Sequence, residues 1–369
     1  MRVGDICQWI ISKEGELLVK KDKSVYVVMI IMGMVSVLSL TFACFVAALY
    51  MQERQTVQTI KESEVQETIE LTTQEPGLSE DEVDELLAQR ELDVQASMKQ
   101  KMKELVEAKD GGPLTMLRYF FPENLIFYDE VGYVFAPILS EIKKHTLMQE
   151  NFIKLEDGEM TYQENGIITS HKGIDVSKYQ GKIDWEAVKE DGVEYAFIRL
   201  GLRGYESGKI VLDDYYKQNM RGANDAGVKT GVYFFTQAIT VEEAQEEAAF
   251  VIEHLADYDV PYPVVFDVEM IVGGNGRANK LTKEERTDIC VAFCEAIKEA
   301  GYIPMIYGNV KCFTRLVDMA RLEAYEKWYA FYGDYMYFPY EVSMWQYTEN
   351  GSVNGIKGDV DLNISFKTW

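Results

Sequence analysis

Only three histidines and five cysteines occur among the 369 residues. His145, His171 and His254 show no metal-ligand spacing with one another or with the cysteines, so no metal and no cofactor is expected. Cys7 and Cys44 lie near the N-terminus, far from Cys290, Cys294 and Cys312. The last three cannot all pair, and a bridge between Cys290 and Cys294, one helical turn apart, would strain a helix. Buried free thiols are expected, and a disulfide scaffold is excluded. Positive charge is also short: 37 Lys and Arg stand against 61 Asp and Glu, a formal net charge of −24. A surface of that sign disfavours nucleic acid and anionic lipid as partners.

Apolar material is plentiful, at 47% hydrophobic and 12% aromatic residues, with the aromatics gathered in the C-terminal half. Residues 24–51, SVYVVMIIMGMVSVLSLTFACFVAALYM, carry no charge. A helix of that length spans the roughly 30 Å hydrocarbon core of a bilayer. The apolar region of a cleaved signal peptide is only about 7–15 residues long. The TFAC sequence ending in Cys44 fits a lipoprotein site badly. A retained single-pass transmembrane anchor is therefore expected. Lys13, Lys20, Lys21 and Lys23 precede it and a glutamate-rich segment follows. The positive-inside rule puts residues 1–23 in the cytoplasm as a tail and everything after residue 51 outside.

Residues 52–111 are polar and acidic and read as an α-helical stalk, its main helix opening on a Ser-x-x-Glu capping pattern at Ser79. Asp110-Gly-Gly-Pro113 ends it. Residues 112–170 are too aromatic for a linker and read as a small subdomain followed by a hairpin linker with turns at Asp157-Gly158 and Asn165-Gly166. No chemistry is visible in this stretch; it also offers a surface for an envelope protein partner.

From residue 171 the pattern turns regular. Eight β-rich runs appear at 173–177, 195–201, 229–236, 263–269, 303–308, 328–332, 342–348 and 360–365. Helical patterns follow each of the first five, and the last three strands follow one another directly. Strand and helix in alternation imply a parallel sheet. Eight strands in about 200 residues predict an α/β fold, a shortened TIM-like barrel of five β/α units plus three further strands, over residues 171–369.

In such a barrel the active site lies at the C-terminal ends of the strands. The fourth run, PVVFDVEM, ends in Asp267 and Glu269, two residues apart and so on one face. Asp175 lies near the end of the first run, and Asp361 opens the eighth. Two carboxylates about 6 Å apart at an effective dielectric of about 20 repel by roughly 2.8 kcal/mol, about two pKa units. That keeps one protonated near neutral pH, which glycoside hydrolysis requires of its general acid. Tyr233, Phe235, Tyr307, Trp328, Trp345 and Tyr347 lie on or near these strands as candidate sugar-binding aromatics, with core packing as the competing reading, favoured for Phe235 and Tyr332. Arg199, Arg203 and Arg277 are candidates for a substrate carboxylate, with ion pairing inside the barrel the equal alternative for Arg199.

The runs KGIDVSKYQGKIDWEAVKEDGVEYAFIRLG, GVYFFTQAITVEEAQEEAAFVIEHL, PVVFDVE, IPMIYGN and MWQYTENGSVNGIKGDVDLN resemble the glycoside hydrolase family 25 muramidases, which are lysozyme-type enzymes. The resemblance implies a flattened barrel and cleavage of the β-1,4 bond after N-acetylmuramic acid in peptidoglycan. It also implies Glu269 as general acid/base, Asp267 as the residue that positions or polarises the substrate 2-acetamido group, and Asp175 and Asp361 as the remaining acids. The second strand departs from the family's Lys-Ala-Thr-Glu run and reads RLGLRGYESG, so Arg203, Tyr205 and Glu206 stand outside that pattern. Retention with help from the acetamido group is implied, and Asp267 as direct nucleophile stays open. The expected function is membrane-tethered peptidoglycan hydrolysis for local wall remodelling; a non-catalytic glycan-binding scaffold on the same fold is the alternative.

Overall fold

The computed structural model describes residues 79–369 apart from Asp110. The tail (1–23), the anchor (24–51) and the first part of the stalk fall outside the described residues. No helix among the described residues is long and apolar enough to cross a membrane. The chain divides into two compact units, 1–100 and 101–369.

Helix α1, Glu80–Glu107, runs across that division and buries none of its side chains. Its first turn closes through the expected capping box: the Ser79 N–H donates to the Glu82 carboxylate at 2.7 Å, and the Glu82 N–H donates to Ser79 Oγ at 3.4 Å.

In the second unit, Pro113 starts a short helix, α2 (Pro113–Phe120), at the position where its missing N–H costs nothing. A hairpin follows, β1 (Asn124–Asp129) and β2 (Gly132–Pro137), and then a small meander of β3 (Phe152–Lys154), β4 (Met160–Glu164) and β5 (Ile167–Ile168). Asn165 and Gly166, both at positive φ (53° and 78°), make the tight β4–β5 turn that the Asn-Gly pair predicts.

The rest is a barrel. Its strands are β6 (His171–Val176), β7 (Tyr195–Arg203), β9 (Lys229–Phe235), β10 (Val264–Asp267), β11 (Pro304–Asn309), β12 (Glu326–Ala330), β13 (Met344–Gly351) and β14 (Val360–Ser365). They pair in the order β6-β7-β9-β10-β11-β12-β13-β14, and β14 returns to β6, so the sheet closes on itself. Seven strands run parallel. The eighth, β14, is antiparallel to both neighbours. A short extra strand, β8 (Ile210–Leu212), pairs outside the ring with the end of β7.

Helices α3 (Trp185–Glu190), α4 (Tyr216–Asp225), α5 (Val241–Leu255) and α6 (Lys283–Glu299) cover the outside. Asp184, Thr240 and Thr282 cap α3, α5 and α6, and Thr282 forms a reciprocal box with Glu285. The fifth expected helix is a single π turn, Cys312–Leu316. There the chain turns extended at Val317, and the Asp318 N–H is held by Thr287 Oγ1 of α6 at 2.8 Å instead of continuing a helix. Cys290, Cys294 and Cys312 are free and buried.

Side-chain alternation sorts the barrel into two cores. Ile174, Ile198, Val232, Phe266, Ile306 and Trp345 face outward onto the helices and the N-terminal segment, whereas Phe197, Val265, Met305, Trp328 and Met344 fill the interior. This alternation decides which residues reach the mouth.

Candidate active site

The inward positions at the upper ends of the strands are acidic. On β10 Val265 points inward, Phe266 outward and Asp267 inward; Glu269 follows two residues later, just past the strand end. Asp175 on β6 lies directly opposite Asp361 on the antiparallel β14. Because β14 runs backwards, it is the start of this strand that comes to the mouth.

A polar lattice beneath the acids fixes their orientation. Gln346 Nε2 donates to Asp175 Oδ2 at 2.8 Å and to Asp361 Oδ2 at 3.3 Å. Asn363 Nδ2 donates to the same Asp175 oxygen at 2.8 Å and is itself held by Trp328 Nε1, which donates to Asn363 Oδ1 at 2.8 Å. The other end of Gln346, Oε1, accepts from the Tyr307 hydroxyl at 2.8 Å and the Tyr332 hydroxyl at 3.1 Å. Gln237, fully buried, extends its amide toward the Glu269 carbonyl at 3.4 Å.

The electrostatics follow from burial and crowding. Burial, with the Asp175 charge next, pushes Glu269 up to about 7. Asp361 is raised to about 9 by burial, by the facing Asp175 charge and by the hydrogen bond between them. Asp175 is raised by burial against the pull of its donors Asn363, Gln346 and Asp361, and with three donors it is the best placed of the four to hold negative charge. Asp267 is raised well above the ordinary range by burial and then by Glu269 and Asp175, with Arg199 opposing. Its Oδ1 is buried without a hydrogen-bond partner. Such an oxygen is costly to desolvate and suits a donor brought by a ligand. Among the described residues, no group of three or more His, Cys, Asp or Glu side chains is placed to hold a metal ion.

The aromatic candidates divide. Tyr233 and Phe235 are half-buried on inward positions of β9, with Phe235 directly beside Asp267 in the register. Tyr307 lines a cavity of about 290 Å³ that also contains Glu269. Trp328 faces inward but is buried beneath the acids, packed on Phe197 and Tyr307, so it supports the site without reaching a ligand. Trp345 and Tyr347 share a face of β13 as expected, but it is the outward face. Trp345 donates its Nε1 proton to the Phe331 carbonyl at 2.7 Å and meets Phe152 edge-to-face at 5.3 Å, in the core between barrel and N-terminal segment. The residue between them, Gln346, is the one that enters the site. Tyr332, expected in the core, is 48% exposed and lines the cavity.

The arginines are already engaged. Arg203 is buried, donating from Nε to Glu247 at 2.6 Å and from Nη2 to Glu246 at 2.7 Å, with further bonds to the Gly208 and Glu243 carbonyls. It clamps β7 to α5, with four of its five N–H donors committed within the protein. Arg199 pairs with Asp213 at 2.7 Å, and Arg277 pairs with Glu243 at 2.8 Å. Gln346 and Asn363 were not singled out from sequence, although each stands two residues from an inward-facing position, Met344 and Asp361 respectively.

The model of glycosyl hydrolases family 25 matches residues 174–356, about half of the chain. The uncharacterised protein YegX of Escherichia coli K12 is 29% identical over 203 residues, which is 52% of this chain and 68% of that protein. The autolytic lysozyme of Clostridium acetobutylicum is 27% identical over 198 residues, 52% of this chain but only 55% of the lysozyme. The solved structure of the autolysin LytC of Streptococcus pneumoniae with a synthetic peptidoglycan ligand aligns at 23% identity and a TM-score of 0.48, covering 66% of this chain and 56% of that one. The barrel of this chain, built around Asp175, Asp267 and Glu269, belongs to glycosyl hydrolases family 25.

Proposed function

We propose that this chain is a membrane-tethered muramidase that cleaves the β-1,4 bond between N-acetylmuramic acid and N-acetylglucosamine in peptidoglycan, for local remodelling of the cell wall. The observation that carries the reading is Glu269, a carboxyl held neutral up to about pH 7 within a cluster of four acids and itself lining a cavity. A general acid must keep its proton at working pH and deliver it in the transition state.

In this reading Glu269 gives its proton to the glycosidic oxygen as the bond from C1 to that oxygen breaks. The carbonyl oxygen of the 2-acetamido group bonds to C1, and its N–H is received by the unpartnered Oδ1 of Asp267. Glu269, now a carboxylate, takes a proton from water; the water oxygen attacks C1 and the acetamido ring reopens. Negative charge at Asp175, fixed by Gln346 and Asn363, favours the positive charge that develops at the sugar.

The tether rests on the uncharged run 24–51 and the lysines before it. Anchoring supplies a high local concentration without charge steering, which a strongly acidic chain needs at an anionic wall. It favours a partner in the envelope and local action over a released lysin.

The test uses the full-length chain in mild detergent with purified peptidoglycan, beside Glu269→Gln. Borohydride reduction and mass spectrometry identify the new reducing end. Reduced muramic acid from the wild type alone supports the reading. Intact binding with no fragments from either protein replaces it with a non-catalytic scaffold. Recovery of a processed, soluble form in culture medium overturns the tether.

A further inference from the structure

One wall of the Glu269 cavity does not come from the barrel. Its lining includes Phe127 and Tyr128 of β1 together with Glu269, Tyr307, Asn309 and Tyr332. Strand β1 ends at Asp129, 45 positions before the family match begins at residue 174.

This hairpin is fixed in place. The Ile126 N–H donates to the Tyr337 hydroxyl at 2.8 Å, and Arg118 Nε donates to the Ile126 carbonyl at 3.0 Å while its guanidinium lies 3.7 Å from the Tyr337 ring centre. At the strand end, Asp129 pairs with Arg315 at 3.0 Å and Lys311 at 3.7 Å. On this rigid mount Tyr128 is 65% exposed, and the ring of Tyr133 meets it edge-to-face at 5.2 Å. A large ring braced by its cross-strand partner and left open beside a reactive carboxyl is organised for contact.

We infer that the hairpin of β1 and β2 extends the substrate groove, and that Tyr128 stacks on a saccharide ring of the glycan strand beyond the bond being cut. The inference rests on the functional reading above for the identity of the strand. A linear polymer crossing Glu269 must leave the site along its flanks, and the cavity is continuous with that residue. Its volume, about 290 Å³, lies at the low end of the range for small-molecule sites and suits a ring-sized group. The stem peptide fits less well. The cations at this edge, Lys311 and Arg315, are already balanced by Asp129 and Glu130 and leave little attraction for an anionic peptide.

Binding is measured without turnover, in full-length Glu269→Gln protein, with peptide-free strands of alternating N-acetylglucosamine and N-acetylmuramic acid. Adding Tyr128→Ala is expected to raise Kd about tenfold, while adding Tyr128→Phe restores it, because the ring face carries the contact. Equal affinity in the presence and absence of Tyr128→Ala overturns the inference. So does a loss seen only with peptide-bearing strands, which assigns the cavity to the stem peptide. Absence of strand binding by the Glu269→Gln protein itself also overturns it. Hydrolysis by the wild type is scored separately, so an inactive wild type that still binds through Tyr128 removes the muramidase reading and leaves the subsite standing.

Discussion

Asp175 and Asp361 face each other across an antiparallel strand pair, and burial raises both carboxyls. Like charges directly opposite on paired strands repel, so folding favours the protonated form of Asp361, whose carboxyl is raised to about 9. The folded chain binds this proton more tightly than the unfolded one, so the contribution of Asp361 to stability is greatest at low pH and falls as pH rises through the ordinary carboxylate range and above it. Asp361→Asn keeps the shape without the titration. Thermal melts across that pH range should show a flatter dependence in Asp361→Asn than in the wild type; identical curves would show that the Asp361 carboxyl does not shift on folding.

On the proposed role of Glu269 as general acid, its raised carboxyl sets the working range. Turnover of peptidoglycan should fall as pH passes about 7, where this acid loses its proton. Glu269→Gln should lower kcat by about 10²–10⁴-fold. A wild-type rate that climbs steadily to pH 9 would assign the proton to another group.

The same group costs stability. A carboxyl raised from its ordinary value to about 7 favours the folded state less and less as pH climbs between those limits. By pH 8 the penalty is at most about 3 kcal/mol, so Glu269→Gln should be the more stable protein there and lose its advantage near pH 4. Urea denaturation at the two pH values measures the difference.

Gln346 holds four side chains at once. Gln346→Leu removes partners of Asp175, Asp361, Tyr307 and Tyr332 together and should destabilise the protein by about 1–3 kcal/mol. The acidic limb of the pH–rate profile should move with it, because Asp175 loses a donor that favours its charge. A variant with unchanged stability and profile would reduce Gln346 to packing.

Arg203 is expected to matter for folding. Arg203→Met strands the buried Glu247 and should cost about 3–5 kcal/mol in chemical denaturation, with KM for peptidoglycan unchanged. A raised KM at unchanged stability would return Arg203 to the substrate.

The barrel was legible because its strands are short β-rich runs separated by capped helical patterns, and each of the eight expected runs corresponds to a strand. The convergence of the four acids was legible for the same reason: alternation along PVVFDVEM and the pairing of first and last strands bring them together. The aromatics were harder. Period-two spacing says that Trp345 and Tyr347 share a face, but which face is inside depends on Met344 and Gln346, and both faces of this strand are buried. A glutamine between two large rings carries no outward sign of its role. Arg203 misled because its partners, Glu246 and Glu247, lie on a helix more than 40 residues away. The hairpin wall at Tyr128 was invisible, since nothing in residues 112–150 announces which surface they cover.

The reversed closing strand gives this site an unusual dependence on loop length. Asp361 reaches Asp175 only in the present register of β14, which follows an irregular stretch of β13 between Gln346 and Gly351. Moving β14 by one residue, through a single insertion or deletion at 352–359, would turn Asp361 outward and bring Leu362 into the mouth. The barrel would still close and every acid would still be encoded. Divergence in this part of the chain is therefore better judged by counting residues between Gly351 and Asp361 than by asking whether the aspartate is present.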